Sequence, residues 1–406
     1  MRSRSSMSRW RISLLCADSG TATGGLLHGF AGSFGWSRRG ILRGGGPAFR
    51  PASAGDTMGG PLGDGGALMR ALIVGAGGMG RAWGRCLRDC HDTEVAGWVD
   101  LVPERAESAA AELGFAGIHT GPDLERALAV VRPDFVVDVT VPEAHHGVTL
   151  AALAAGVPVL GEKPMAASME QARAMVAASE RTGRLYMVSQ SRRYDARIHA
   201  FRRLIRQEIG PLGILNADFY IGAHFGGFRD EMPSPLVLDM AIHTFDAARY
   251  LSGADPVAVY CEEFNPPWSW YRGNACATAV FEMTGGLRFT YRGSWCSEGM
   301  HTSWESEWRA VGPAGTAIWD GRDRIEAEVA VAPEGFHSRL EKRAVSVEEG
   351  VASGIAGSLR EFLQALGSPG GPPPNGECHD NIRSLAMVFA AMESARTGRR
   401  VPVRWD

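Results

Sequence analysis

Leu72-Ile73-Val74-Gly75-Ala76-Gly77-Gly78-Met79-Gly80-Arg81 decides how this chain is read. Three branched apolar residues predict a buried strand, and Gly75, Gly77 and Gly80 follow in the spacing G-x-G-x-x-G ahead of a helical pattern. In that spacing the first glycine permits a tight turn, the second lets a pyrophosphate approach the backbone, and the third lets the helix pack on the strand. The helix N-terminus then offers unpaired N–H groups to the anion. A second apolar run, residues 94–99, ends at Asp100. That acid lies about 20 residues past the last glycine, the distance at which a carboxylate accepts hydrogen bonds from ribose hydroxyls. An acid there repels a 2′-phosphate and points to NAD, while Arg105 is close enough to receive that phosphate and keeps NADP open.

The composition narrows the remaining choices. A length of 406 residues suggests two domains, and 42 Lys and Arg against 45 Asp and Glu give no electrostatic case for nucleic acid. No apolar run reaches the length needed to span a bilayer. The seven cysteines are odd in number, scattered, and without a C-x-x-C pair, so we expect a reduced, cytoplasmic protein whose thiols pack. No metal site is expected: Cys86 and Cys90 lack further ligands, and the pair His145-His146 reads as helix packing, with His145 exposed.

Residues 1–68 differ from the rest, with 16 glycines, eight arginines and three acids and no sustained apolar period. Such a segment should not fold alone. An organelle transit leader fits its composition, but an over-long start, with Met69 as the natural first residue, is favoured. From Arg70 to about residue 187, apolar runs alternate with amphipathic stretches, the pattern of repeated βα units on a mainly parallel sheet. Helices are predicted over 78–90, 103–113, 122–131, 143–155 and 168–182, and strands over 70–75, 94–100, 134–139, 157–161 and 185–189. The strand ends then form one rim, where open α/β sheets bind ligands.

At that rim stands Glu162-Lys163-Pro164. The chain has 40 arginines and two lysines, Lys163 and Lys342, so arginine serves wherever a positive charge suffices. A rim lysine therefore suggests chemistry, because an ammonium is compact and movable and can lose its proton. Farther on, Asp239 and His243 lie four apart in a helical pattern and share a face. A carboxylate beside an imidazole holds the ring and supports its charged form, which suits a general base. The same spacing also describes an ordinary surface pair.

Taken in order, these motifs resemble the glucose–fructose oxidoreductase and inositol dehydrogenase (Gfo/Idh/MocA) family over residues 69–404. They are Gly75 to Gly80, Val141-Pro142-Glu143-Ala144-His145-His146, Glu162-Lys163-Pro164, Arg193-Tyr194-Asp195 and Asp239 to His243. The run 358–363, followed by 390–401, is similar to that family's closing helix pair. The resemblance implies an α/β fold: a Rossmann dinucleotide-binding domain over 69–190, then a C-terminal α/β domain over 191–406 with a large open, mostly antiparallel sheet. Segments 212–223, 256–264, 274–284, 286–296, 305–312 and 315–320 alternate well enough to supply that sheet. One face of it needs cover, so a homodimer or homotetramer is expected.

The resemblance also implies roles. Lys163 would touch the nicotinamide ribose and the reacting hydroxyl, with Pro164 after a cis bond, and His243 would take the hydroxyl proton. Asp239 would orient substrate or histidine. Cofactor contacts are assigned to Gly75, Gly77, Gly78, Met79, Gly80, Asp100, Arg105, Thr140, Val141, Pro142, His146, Glu162, Lys163 and Gln190. Substrate contacts are assigned to Lys163, Arg193, Tyr194, Arg229, Asp239 and His243. Val141 and Glu143 depart from the family's Thr and Asn, and Met232 to Val237 replaces a glycine-rich approach, which alters the substrate entrance. The aromatic run 264–272 suits sugar stacking and a subunit interface equally.

The expected activity is NAD(P)-dependent oxidation or reduction at a secondary alcohol or ketone of a sugar, inositol or related polyol. A non-catalytic dinucleotide-binding regulator, or an elimination or glycosidase reaction assisted by tightly held NAD, would use the same scaffold.

Overall fold

The computed structural model describes residues 68–406. The expectations for the leader fall, apart from Leu68, outside the described residues.

The first sheet contains β1 (Met69–Val74), β2 (Thr93–Val99), β3 (His119–Gly121), β4 (Phe135–Asp138), β5 (Val159–Gly161) and β6 (Tyr186–Val188). Every pairing is parallel, in the order β3-β2-β1-β4-β5-β6. Between the strands run α1 (Gly78–Asp89), α2 (Pro103–Glu112), α3 (Leu124–Val131), α4 (Pro142–Ala154) and α5 (Met169–Thr182). The strand order reverses between β1 and β4, which opens a crevice at their C-terminal ends. Asp123 and Ser168 cap α3 and α5 by accepting the N–H groups of Arg126 and Gln171. The five predicted helices and five predicted strands all form; the short edge strand β3 escaped the reading because three residues carry no period.

Past a 3₁₀ turn, Ser191–Tyr194, come α6 (Ala196–Leu204), β7 (Ile214–Tyr220), α7 (Phe228–Glu231) and α8 (Ile242–Ser252). Seven strands follow: β8 (Pro256–Phe264), β9 (Cys276–Met283), β10 (Arg288–Ser294), β11 (Glu307–Gly312), β12 (Gly315–Trp319), β13 (Ile325–Glu334) and β14 (His337–Ala344). Two helices, α9 (Gly354–Gly367) and α10 (Cys378–Thr397), and the short β15 (Val401–Pro402) close the chain. The nine strands pair in the order β14-β13-β12-β11-β7-β10-β9-β8-β15, and all but β7–β10 are antiparallel.

One face of this sheet is aromatic and buried. Phe245 of α8 meets Phe281, Phe289 and Tyr291 at ring separations of 4.8, 6.2 and 5.3 Å. The other face carries Tyr260, Val280, Arg292 and Arg309, all exposed. The predicted strands form, and the chain adds the hairpin β13–β14, whose charged outer strand hid its pairing from the hydrophobic pattern. Among the described residues, no helix is long and apolar enough to cross a membrane.

Candidate active site

The glycine turn between β1 and α1 separates two jobs. Gly75 has φ +106°, and a Cβ there would stand 2.7 Å from the Val139 carbonyl oxygen; one at Gly80 would stand 2.2 Å from the Gly75 oxygen. Both positions are glycine because the turn and the helix leave no room for a side chain. At Gly77 and Gly78 a Cβ would meet nothing within 4 Å. That bare backbone at the start of α1 is open space for a ligand anion, and Met79 lies half exposed beside it. Asp100 accepts the Ala76 N–H at 2.8 Å and the Val102 N–H at 2.9 Å, which fixes its carboxylate at the end of β2 facing the turn. Arg105 is exposed in the first turn of α2. These features fit a dinucleotide: a backbone cradle with room for an anion, a helix start and an acid at the ribose position.

Toward the other end of the crevice, Asp138 is fully buried at the end of β4 and accepts the Thr140 N–H and hydroxyl. His145 Nδ1 stands 3.0 Å from the other Asp138 oxygen. His145 is therefore the buried member of the pair and His146 the half-buried one, the reverse of the exposed His145 expected. Residue 145 faces the sheet once Pro142 sets the start of α4. His146 is half-buried one residue farther along α4. Val141 is exposed at the mouth.

Glu162 accepts the Trp83 indole N–H at 2.8 Å and the Lys163 N–H at 3.1 Å. Burial pushes its carboxyl up, only partly offset by Trp83 and by the Lys163 charge. Gln190 is buried with its amide nitrogen unpartnered among the described residues. The Lys163–Pro164 bond is cis.

Lys163 ties the rim of the parallel sheet to the segment that precedes α8. Its Nζ donates to the Asp239 carbonyl oxygen at 2.9 Å and to Asp239 Oδ1 at 3.0 Å. The second carboxylate oxygen, Oδ2, accepts Arg229 Nε at 2.6 Å. Burial raises the Asp239 carboxyl, but Lys163 and then Arg229 outweigh it and hold the group below the ordinary range. Arg229 in turn stacks on Phe225 and Phe228, 5.0 and 4.7 Å from their ring centres.

His243 lies against this cluster but is not Asp239's partner. Asp239 sits in a π-helical turn, Leu236–Ala241, and only after it does α8 begin. The wider turn breaks the simple i,i+4 geometry, and both Asp239 oxygens are already engaged. The expected carboxylate support for a charged imidazole is thus corrected. Burial, then the Arg192 and Lys163 charges, drive His243 well below the ordinary histidine range. Its Nδ1 is buried without a partner among the described residues.

Arg193 and Tyr194 also need correction. Arg193 is 5% exposed, forks onto Asp246 with two 2.6 Å bonds and reaches Asp380 at 2.6 Å. Tyr194 is buried and its hydroxyl donates to the Asn375 carbonyl. Both tie the 3₁₀ turn to α8 and the closing helices, so neither is free for substrate. The preceding Arg192 is the one whose charge reaches the crevice cluster, opposing a proton on His243. It donates to the Trp304 carbonyl, lies 3.7 Å from Glu305 and reaches Met240 Sδ at 3.6 Å, beside His243. The sequence reading passed over Arg192, and the 3₁₀ turn sends it and Arg193 to different partners. In the aromatic run, Trp270 stacks on His224 at 3.7 Å and Trp268 is exposed.

Residues 69–190 match the oxidoreductase family with an NAD-binding Rossmann fold, and residues 228–403 match that family's C-terminal alpha/beta domain. The chain is 30% identical over 355 residues to the uncharacterised protein y4oX of Sinorhizobium fredii, covering 82% of this chain and 96% of that one. It is 25% identical to the D-apiose dehydrogenase of Paraburkholderia graminis, covering 82% of this chain and 90% of that enzyme. An oxidoreductase from Agrobacterium radiobacter, crystallised with NAD+, L-tartaric acid and magnesium, superposes with a TM-score of 0.71 at 22% identity. That alignment covers 83% of this chain and 99% of the other. By its two matched domains, its strand orders and its whole-length relatives, the chain belongs to the Gfo/Idh/MocA family of NAD-binding oxidoreductases.

Proposed function

We propose that the protein transfers hydride between NAD(P) and a secondary alcohol or ketone of a sugar, inositol or related polyol. The observation that carries this reading is that Lys163, held by Asp239 at the sheet's ligand-binding rim, lies near His243, whose Nδ1 is buried without a partner among the described residues and whose protonation burial and the Arg192 and Lys163 charges oppose. The whole-length likeness to a D-apiose dehydrogenase supports a sugar-like substrate. NAD, when bound, supplies the hydride acceptor, or the donor in its reduced form.

The protein's own part is proton and charge handling. A neutral His243 accepts the hydroxyl proton as the alcohol is oxidised. Lys163 donates a hydrogen bond to the oxygen as negative charge grows on it, a preorganised interaction aimed at the transition state. Asp239 holds Lys163 in place and, with Arg229, lines the side where further substrate hydroxyls would bind. Two positive neighbours make the imidazolium costly, which favours prompt release of the proton to solvent.

The open sheet face, with Tyr260, Val280, Arg292 and Arg309 exposed, supports a homo-oligomer. A screen of aldoses, inositols and alditols with NAD and with NADP, read by nicotinamide absorbance, tests the activity. Cofactor binding without turnover of any of these, in either direction, would overturn the substrate class and favour a regulator.

A further inference from the structure

Away from the crevice, a cavity of about 340 Å³ lies between α6, α8 and the N-terminus of α10. Four arginines line it: Arg193, Arg202, Arg249 and Arg383. Three of them are answered by acids. Arg193 is held by Asp246 and Asp380, Arg249 by Asp380 and Asp255 at 2.6 and 3.0 Å, and Arg383 by Asp255 at 2.7 Å. Glu377, also in the wall, is engaged by His379 Nδ1 at 2.8 Å.

Arg202 is different. Its guanidinium lies 4.1 Å above the Tyr250 ring, and among the described residues it has no carboxylate partner. Its Nε is buried with no acceptor. Arg249 and Arg383 likewise each leave Nε buried and unpartnered. A cavity that gathers four guanidinium groups, leaves one of them, Arg202, without a carboxylate and leaves three Nε donors unmade can take an acceptor-rich anion.

We propose that this cavity is an accessory binding site for a small oxyanion, a phosphate or polycarboxylate group, with Arg202 as its principal ligand. The planar fork of Arg202, already oriented by stacking on Tyr250, presents its outer N–H groups with little further ordering. The volume equals that of roughly ten liquid waters, enough for a phosphoryl group or a small tricarboxylate. The site is separate from the proposed hydride-transfer site: Arg192 turns to Met240 and Trp304, whereas Arg193 turns to Asp246 and Asp380.

Calorimetric titration of the full chain with inorganic phosphate and, separately, with citrate tests this, using wild type, Arg202→Gln and Arg202→Met. Arg202→Met keeps the apolar stem on Tyr250, and melting in phosphate-free buffer verifies that each variant is folded. We expect saturable binding of at least one anion near one per chain, weakened about tenfold or more in whichever Arg202 variants fold. Which anion binds distinguishes phosphoryl from carboxylate recognition. Failure of wild type to bind either anion saturably, or equal affinity in the Arg202 variants, overturns the proposal.

Discussion

Lys163 Nζ is bonded to both the backbone oxygen and the side chain of Asp239, 76 residues away, and so clamps the rim of the parallel sheet to the π-turn that opens α8. The contact sets the ammonium's position before any substrate arrives. Replacing Lys163 by Met should lower kcat by roughly 10²–10⁴ while NAD binding persists, because the glycine turn and Asp100 are untouched. Asp239 keeps Arg229 in that variant, so the fold should survive. Steady-state kinetics beside a fluorescence titration of NAD check this; a fall of under threefold would remove Lys163 from the chemistry.

The pH dependence follows from His243. Its folded pKa lies below the ordinary 6.5 because burial, Arg192 and Lys163 all oppose the charge. A base works when neutral, so alcohol oxidation should persist below pH 6.5, where an ordinary imidazole is already half protonated. The stability sign is consistent: below 6.5 the unfolded chain binds a proton at this site that the folded chain refuses, so His243 costs stability as pH falls. Arg192→Gln removes one opposing charge and should shift the acid limb of kcat/KM upward in pH. An unchanged limb would mean that another group titrates there.

Arg193 is predicted to matter for stability. Arg193→Ala would leave Asp246, 3% exposed in its side chain, as a buried carboxylate without its fork. Breaking one partner of such a pair costs about 3–5 kcal/mol. Thermal melting should show a large drop, while the folded fraction keeps its substrate KM. An intact melting temperature with a raised KM would restore Arg193 to substrate binding.

Asp100 tests the cofactor preference. Its carboxylate carries two backbone N–H bonds and faces the ribose position, so Asp100→Ala should weaken NAD about 10–100-fold, the equivalent of one charge-assisted hydrogen bond. The loss for NADP should be smaller, because the repulsion of the 2′-phosphate goes with the acid. Parallel titrations with both nucleotides decide it; equal losses would show that Asp100 only shapes the loop.

Much of this was written in local chemistry. The glycine spacing, the alternation of apolar runs and the single rim lysine determine the parallel sheet, its crevice and the place of Lys163, because each depends on periodicity and backbone sterics within a few residues. The edge strand β3 and the charged outer strand β14 carry no such period, and their pairing arises from neighbours distant in the chain. Side-chain partners were still less legible. His145 and His146 look alike in sequence, yet only His145 is buried against a carboxylate, and the adjacent Arg192 and Arg193 go to different acids, Glu305 and Asp246. The π-turn at Leu236–Ala241 takes Asp239 from His243 and gives it to Lys163 and Arg229. The sequence by itself determined which elements form and where their ends converge. Only the tertiary structure decided which charges meet, since a charge goes to whichever partner the packing brings within hydrogen-bond reach, regardless of its distance along the chain.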